Sequence, residues 1–337
     1  MSNLPLPRQL KNASGVILPA LLIAVGAALF GLAGYSHFQP PVFPYETKLS
    51  DASSEAFSGA TGSAANLGKV EQLELRAPGQ RDPIANILIG REANGRVVPL
   101  NWQNNVTEPV LAADLSSAEV AKVTAAIKEH VPSDAVVLSW WDLSRKIRLV
   151  SERQAPLDDP LARGLLLPAA WGAAEAMIKD RERAFWGAGV PATDADVFAK
   201  FIAALLMDEE HGADALAFLA PGKTVFVAVH LSDIWKIAAE HPDRISIAYR
   251  DFPGSGSHGV MKAARQWMAE QKILGGFAVE LVGNAVRLHY LPKADEENLL
   301  ITKMLPFSTS NPMRLTQLKL VYQHRGFWIY KLTPAKA

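Results

Sequence analysis

Residues 116–142, SSAEVAKVTAAIKEHVPSDAVVLSWWD, pass from helix to turn to strand without a break. Ser116-Ser117-Ala118-Glu119 is a capping box, in which the serine oxygen and the glutamate each satisfy an amide that a helix start leaves without a partner. Val120, Val123 and Ile127 recur at helical spacing up to His130, and Pro132-Ser133-Asp134 stops the helix. Ala135-Val136-Val137-Leu138 is a short apolar run that reads as a buried strand. The alternation continues downstream. Thr193 or Asp194 caps a helix bearing Phe198, Phe201, Ile202, Leu205 and Leu206, with Gly212 near its end. Next come a strand from Thr224 to Val229, a helix opened by Ser232 or Asp233, and a strand from Ile245 to Tyr249. A helix from Val260 to Gln271 leads to a strand from Phe277 to Val282. LKLVYQ (318–323), the turn His324-Arg325-Gly326 and FWIYKL (327–332) close the chain as an aromatic-rich hairpin. Helices alternating with strands predict an α/β body with a mixed sheet over residues 113–337.

Upstream the period changes to two. VEQLELR (70–76), IANILIG (84–90) and RVVPL (96–100) alternate, and REANG between the last two holds Asn94-Gly95, a strong hairpin signal. Residues 69–112 therefore read as a small antiparallel unit. Residues 36–68, with Pro40, Pro41 and Pro44 followed by a Ser/Ala/Gly-rich stretch, read as a flexible tether. Gly15–Tyr35 is an uncharged apolar run long enough to cross a bilayer as one transmembrane helix, and it lacks a small-residue cleavage box. Arg8 and Lys11 precede it with no acid to offset them, so residues 1–14 are expected in the cytoplasm and the main domain in the periplasm, anchored in a bacterial inner membrane.

Composition narrows the function. The 337 residues include no cysteine, which removes disulfides, thiolate nucleophiles, iron–sulfur ligands and CxxCH haem attachment. Two of the 34 basic residues precede the apolar run, leaving the remainder at a net charge of −2, which argues against a nucleic-acid partner. The eight histidines form no HExxH or HxH pattern, and no GxSxG or phosphate loop is present, so no metal, cofactor or catalytic residue is assigned.

Ser139-Trp140-Trp141-Asp142 stands at the carboxyl end of its strand, where α/β folds bind ligands. Arg145, Lys146, Arg148 and Arg153 fall within reach of Asp142, Asp158 and Asp159. Trp140, Trp141, Asp142, Arg145 and Arg153 are thus candidates for a ligand or partner site; the competing reading is tryptophan packing with Asp142 paired to an arginine. Gly254-Ser255-Gly256-Ser257-His258-Gly259 fits G-x-G-x-x-G between a predicted strand and helix, with Glu280 where a ribose-binding acid could fall. Pro253 disturbs the tight turn that a dinucleotide site needs, and glycine–serine loops cap helices routinely, so a plain capping loop is the favoured reading, with a helix-terminus anion site at the candidates Gly254, Gly256, His258 and Gly259 as the alternative. Asp208-Glu209-Glu210-His211 reads as a solvated helix end; only Asp208 and His211 have useful metal-ligand spacing. His230 and His258 lie at element ends, where histidines commonly cap or pack.

Two family resemblances add to this. The run from the capped helix through AVVLSWWD to the basic segment (116–160) resembles the start of the soluble domain of oligosaccharyltransferase catalytic subunits, whose Trp-Trp-Asp triplet binds the acceptor peptide, and LKLVYQHRGFWIYKL (318–332) resembles that domain's last strands less specifically. Trp140, Trp141 and Asp142 match the triplet, whereas Leu143 and Ser144 replace the Tyr-Gly that follows, and one anchor cannot supply that family's polytopic half. The likeness implies, as an alternative function, a peptide- or glycan-handling protein using that strand end. A second likeness covers nearly the whole chain. SWWD, WGAGVPATDADVFAKFIAALL (186–206), ISIAYRDFPGSGSHGVMKAARQWM (245–268), LPFSTSNPMRL (305–315) and LVYQHRGFWIYKL (320–332) resemble the hydroxylamine oxidation accessory protein HaoB family. That family is found beside the multihaem hydroxylamine dehydrogenase of ammonia- and methane-oxidising bacteria. The resemblance implies an accessory role in docking or assembling that haem enzyme.

Overall fold

The period-two segments build an antiparallel meander of β1 (Glu46–Asp51), β2 (Leu67–Arg76), β3 (Ala85–Glu92) and β4 (Val97–Asn104), in that order across the sheet. The computed structural model describes residues 43–52, 67–93, 95, 97–105, 115, 117–157, 169–186, 192–254, 257–282 and 284–333. Leu73, Leu75, Ile87 and Ile89 share the buried face of the meander, with Leu73 opposite Ile87. The β3–β4 hairpin forms as predicted, and Gly95 takes the positive φ of +85° that its turn demands. β1 corrects the tether reading, since residues 46–51 pair with β2 from Glu46↔Arg76 to Asp51↔Glu71. Its side chains are nearly all exposed, so it is held by backbone bonds and left no apolar pattern in the sequence. The expected tail and anchor, residues 1–14 and 15–35, lie outside the described residues. Among the described residues no helix is long and apolar enough to cross a membrane.

The second sheet is the mixed one, ordered β10 (Leu318–His324), β11 (Phe327–Leu332), β6 (Val225–His230), β5 (Val136–Ser139). β5 and β6 run parallel, and β11 and β10 are added antiparallel. The helix predicted first, α1 (Ser117–His130), lays Val120, Val123 and Ile127 into one core with Val137, Phe226, Ala228, Phe327 and Ile329. Between β5 and β6 the chain forms α2 (Trp141–Lys146), which runs on into a π-helical turn at Ile147–Ser151, then α3 (Glu175–Trp186), α4 (Ala192–Leu205) and α5 (Glu209–Phe218). The expected helix through Gly212 is two helices. Asp208 opens α5, its carboxylate accepting from the His211 amide at 3.0 Å, so the acidic cluster is a helix start rather than a helix end.

The downstream strands do not continue the mixed sheet. After α6 (Leu231–Glu240), β7 (Ala248–Pro253), α7 (Ser257–Glu270), β8 (Phe277–Val282) and β9 (Ala285–Tyr290) form a separate antiparallel sheet ordered β7-β9-β8. β11 occupies the flank of β6 that a further parallel strand would need. α7 covers this third sheet through Val260, Ala264 and Met268, packed on Phe252, Val286 and Leu288. A short α8 (Leu300–Met304) then buttresses β11, the Tyr330 hydroxyl donating to the Met304 carbonyl at 2.6 Å.

Candidate functional site

β5 and β6 end side by side, and each passes directly into a helix, α2 from one and α6 from the other. That junction gathers four buried charged side chains, Asp142, Lys146, Asp233 and Lys236. His230, the last residue of β6, caps α6: its Nδ1 accepts from the Ser232 amide at 3.1 Å, and its own amide donates to Asp233 Oδ2 at 2.8 Å. The imidazole packs 4.4 Å from the Phe327 ring and over Gly326, where a Cβ would come within 2.2 Å of Nε2. Only glycine fits there. One turn into α6, the Lys236 ammonium donates to Asp142 Oδ2 at 2.8 Å and to Asp233 Oδ1 at 3.0 Å. It also sits 5.3 Å from the centroid of the Trp140 ring.

Trp140, Trp141 and Asp142 are 1%, 2% and 6% exposed, and Lys236 is 1%. The open cleft implied by the peptide-binding alternative is therefore closed. Trp140 meets Phe198 of α4 edge-on at 5.1 Å. Asp142 is paired to a lysine from a distant helix instead of to a neighbouring arginine, and its Oδ1 accepts from the Leu143 amide at 2.6 Å. Arg145 is fully buried, donating to the Val97 carbonyl of β4 at 2.8 Å and lying 5.7 Å from the Trp141 ring. Arg153 closes α1: it donates to the carbonyls of Val131 at 2.8 Å and Lys128 at 2.5 Å, which a helix end leaves without amide partners. Both arginines serve structure, joining segments 48 and 22 residues apart at these contacts.

Burial sets the protonation of this junction. Burial pushes His230 down to about 3, with the Lys236 charge adding to the effect. Burial opposes the charge of Lys236, but Asp142 and Asp233 outweigh it and hold the ammonium above its ordinary range. Asp233 is pushed up, by burial first; it shares one ammonium with Asp142, whose charge adds to the shift. Lys146, 7% exposed, finds Asp142 already engaged, and burial lowers it to about 8. Next to the junction, the Trp235 indole N–H donates to His289 Nδ1 at 3.1 Å, so the imidazole proton sits on Nε2 and is donated to Glu280 Oε2 at 3.0 Å.

The glycine-rich loop is placed differently from a dinucleotide site. β7 and α7 flank it as predicted, but the sheet is antiparallel throughout, whereas the fingerprint needs a parallel βαβ unit. Glu280, the expected ribose acid, is held by His289. Gly254 is exposed with φ +113°, Gly259 lies exposed in the first turn of α7, and Gly256 and the His258 side chain lie outside the described residues. Among the described residues no three His, Cys, Asp or Glu side chains gather as a metal site, and Asp208–His211 is an exposed cap contact.

Sequence reasoning missed Lys236, the centre of the cluster. Its signal was a lysine between Ile234 and Ile237 on the buried side of an amphipathic helix, one turn after the Asp233 cap. A family model described as HaoA-associated protein HaoB matches residues 11–332. The chain belongs to this family. No curated protein matches it. The HaoB match runs through all three sheets and includes Trp140, Asp142, Asp233 and Lys236, whereas the Trp-Trp-Asp triplet on which the oligosaccharyltransferase likeness turns is buried in this HaoB-family chain.

Proposed function

We propose that this protein is a membrane-anchored, periplasmic accessory of hydroxylamine oxidation that docks or helps assemble HaoA, the multihaem hydroxylamine dehydrogenase. The observation that carries the reading is the family match over residues 11–332, whose description names association with HaoA. Two features support a docking role over a chemical one. The chain has no cysteine with which to attach haem, and the best-formed charge cluster is locked in ion pairs beneath the surface instead of lining an opening. The apolar run Gly15–Tyr35 would hold the body at the membrane and keep a bound partner at high local concentration. Detergent extraction of native membranes and capture of the tagged full chain should recover HaoA, read as a haem-staining band. A clean lane with both proteins present and folded would remove the reading.

A further inference from the structure

We infer that the outer edge of β8 is a strand-addition site, and that its occupant is an extended apolar–basic–apolar segment of HaoA. This deepens the association reading and rests on it. The amide and carbonyl of Phe277 are both taken by Ser308, at 3.1 and 2.7 Å, so they point away from β9. The two-residue period of a strand turns the amides and carbonyls of Val279 and Leu281 to that same outer side, beyond the reach of the Ser308 loop. Their side chains lie on the face that α7 covers over Phe252, Val286 and Leu288, yet they are 45% and 71% exposed.

Other sheet edges carry guards against pairing. β1 presents Glu46, Lys48 and Asp51; β7 has Arg250, Asp251 and Pro253; β10 has Lys319 and a register shift between Leu320 and Tyr322. β8, FAVELV, has no lysine, proline or bulge, and its only charge is Glu280. Cross-strand rows state what should lie beside it. On one face the rows Phe252–Val286–Leu281 and Arg250–Leu288–Val279 end in open apolar residues. On the other, Asp251–Arg287–Glu280 alternates in sign, with Arg287 held by Asp251 at 2.8 and 2.9 Å. The next place in that row favours a base. A second copy of β8 pairing antiparallel could set only Ala278, Glu280 or Val282 there, none of them basic, so the edge fits a different chain better than itself.

The test uses the full-length protein in detergent with purified HaoA. Leu281→Pro removes an outward amide without touching the ladder to β9, and Leu281→Lys installs the missing guard. Glu280→Lys repels the expected base. Leu281→Pro and Leu281→Lys should keep the wild-type unfolding midpoint, Glu280→Lys should lower it because His289 loses its carboxylate and Arg287 gains a like charge, and all three should bind HaoA about tenfold or more weakly at a temperature where each is folded. Hydrogen exchange supplies a measure independent of mutation: the amides of Val279 and Leu281 should exchange freely in the protein alone and slow on adding HaoA. Wild-type affinity in all three variants, with those amides unprotected, overturns the edge site and leaves the association reading intact. No binding by the wild-type protein removes both. Protection of the two amides without HaoA, with dimers that Leu281→Pro dissolves, would name a second copy as the occupant and overturn the proposal.

Discussion

Lys236 holds two carboxylates, one of them 94 residues away in sequence, and its removal would leave Asp142 and Asp233 buried without a counter-charge. Lys236→Met should therefore cost about 3–5 kcal/mol in urea unfolding at neutral pH, and adding Asp142→Asn and Asp233→Asn should restore much of it. His230 gives the junction an acid sensitivity. Folding lowers its pKa from 6.5 to about 3, so the unfolded chain binds more protons between those values. Stability from this group is complete above 6.5 and falls as pH drops through the window, by at most about 1.4 kcal/mol per pH unit. In His230→Asn, which keeps a capping side chain, the denaturation midpoint should fall less steeply between pH 6.5 and 4 than in the wild type. Lys146 has the same sign of pH dependence in a higher window, between about 8 and 10.5, so its cost is already present at neutral pH. Its buried ammonium costs stability below about 8, so Lys146→Met should raise the neutral-pH unfolding free energy by up to about 3 kcal/mol.

Among elements, α1 and β5 were legible because a capping box, helical spacing and a Pro-Ser-Asp stop are local signals. Where α1 ends in space was not. Arg153 was a ligand candidate by type and proximity, yet it returns beneath α1 to hold the Lys128 and Val131 carbonyls. Arg153→Ala should lower stability by about 1–3 kcal/mol and fray the last turn of α1, seen as faster amide exchange there. The break at Asp208 escaped the reading because Leu205, Leu206 and Gly212 sit at spacings that a continuous helix also satisfies. Gly212 decides it differently: a Cβ there would come within 2.6 Å of the Ala204 carbonyl, so the two helices meet at a contact only glycine permits.

For the whole molecule, the proposal that Gly15–Tyr35 anchors the chain predicts a partition. The full chain should sediment with membranes and resist salt or carbonate extraction, whereas a chain beginning at Pro44, which starts a compact unit, should appear in the soluble fraction. The sequence by itself determined the α/β class, the three period-two strands β2, β3 and β4 with their hairpin, the terminal hairpin and the family, because each depends on period, caps and phrase order; β1 it did not show. It could not determine how many sheets those strands make. β11 arrives from the far end of the chain to take the flank of β6, and β7, β8 and β9 are left to pair among themselves. Nor could it tell a binding triplet from a buried one. Trp-Trp-Asp has the same composition in either setting; only tertiary packing, by bringing Lys236 to 2.8 Å from Asp142 and Phe198 against Trp140, removed it from solvent. Long-range pairing decides such matters because a charge is tolerated in the interior only where a distant partner meets it.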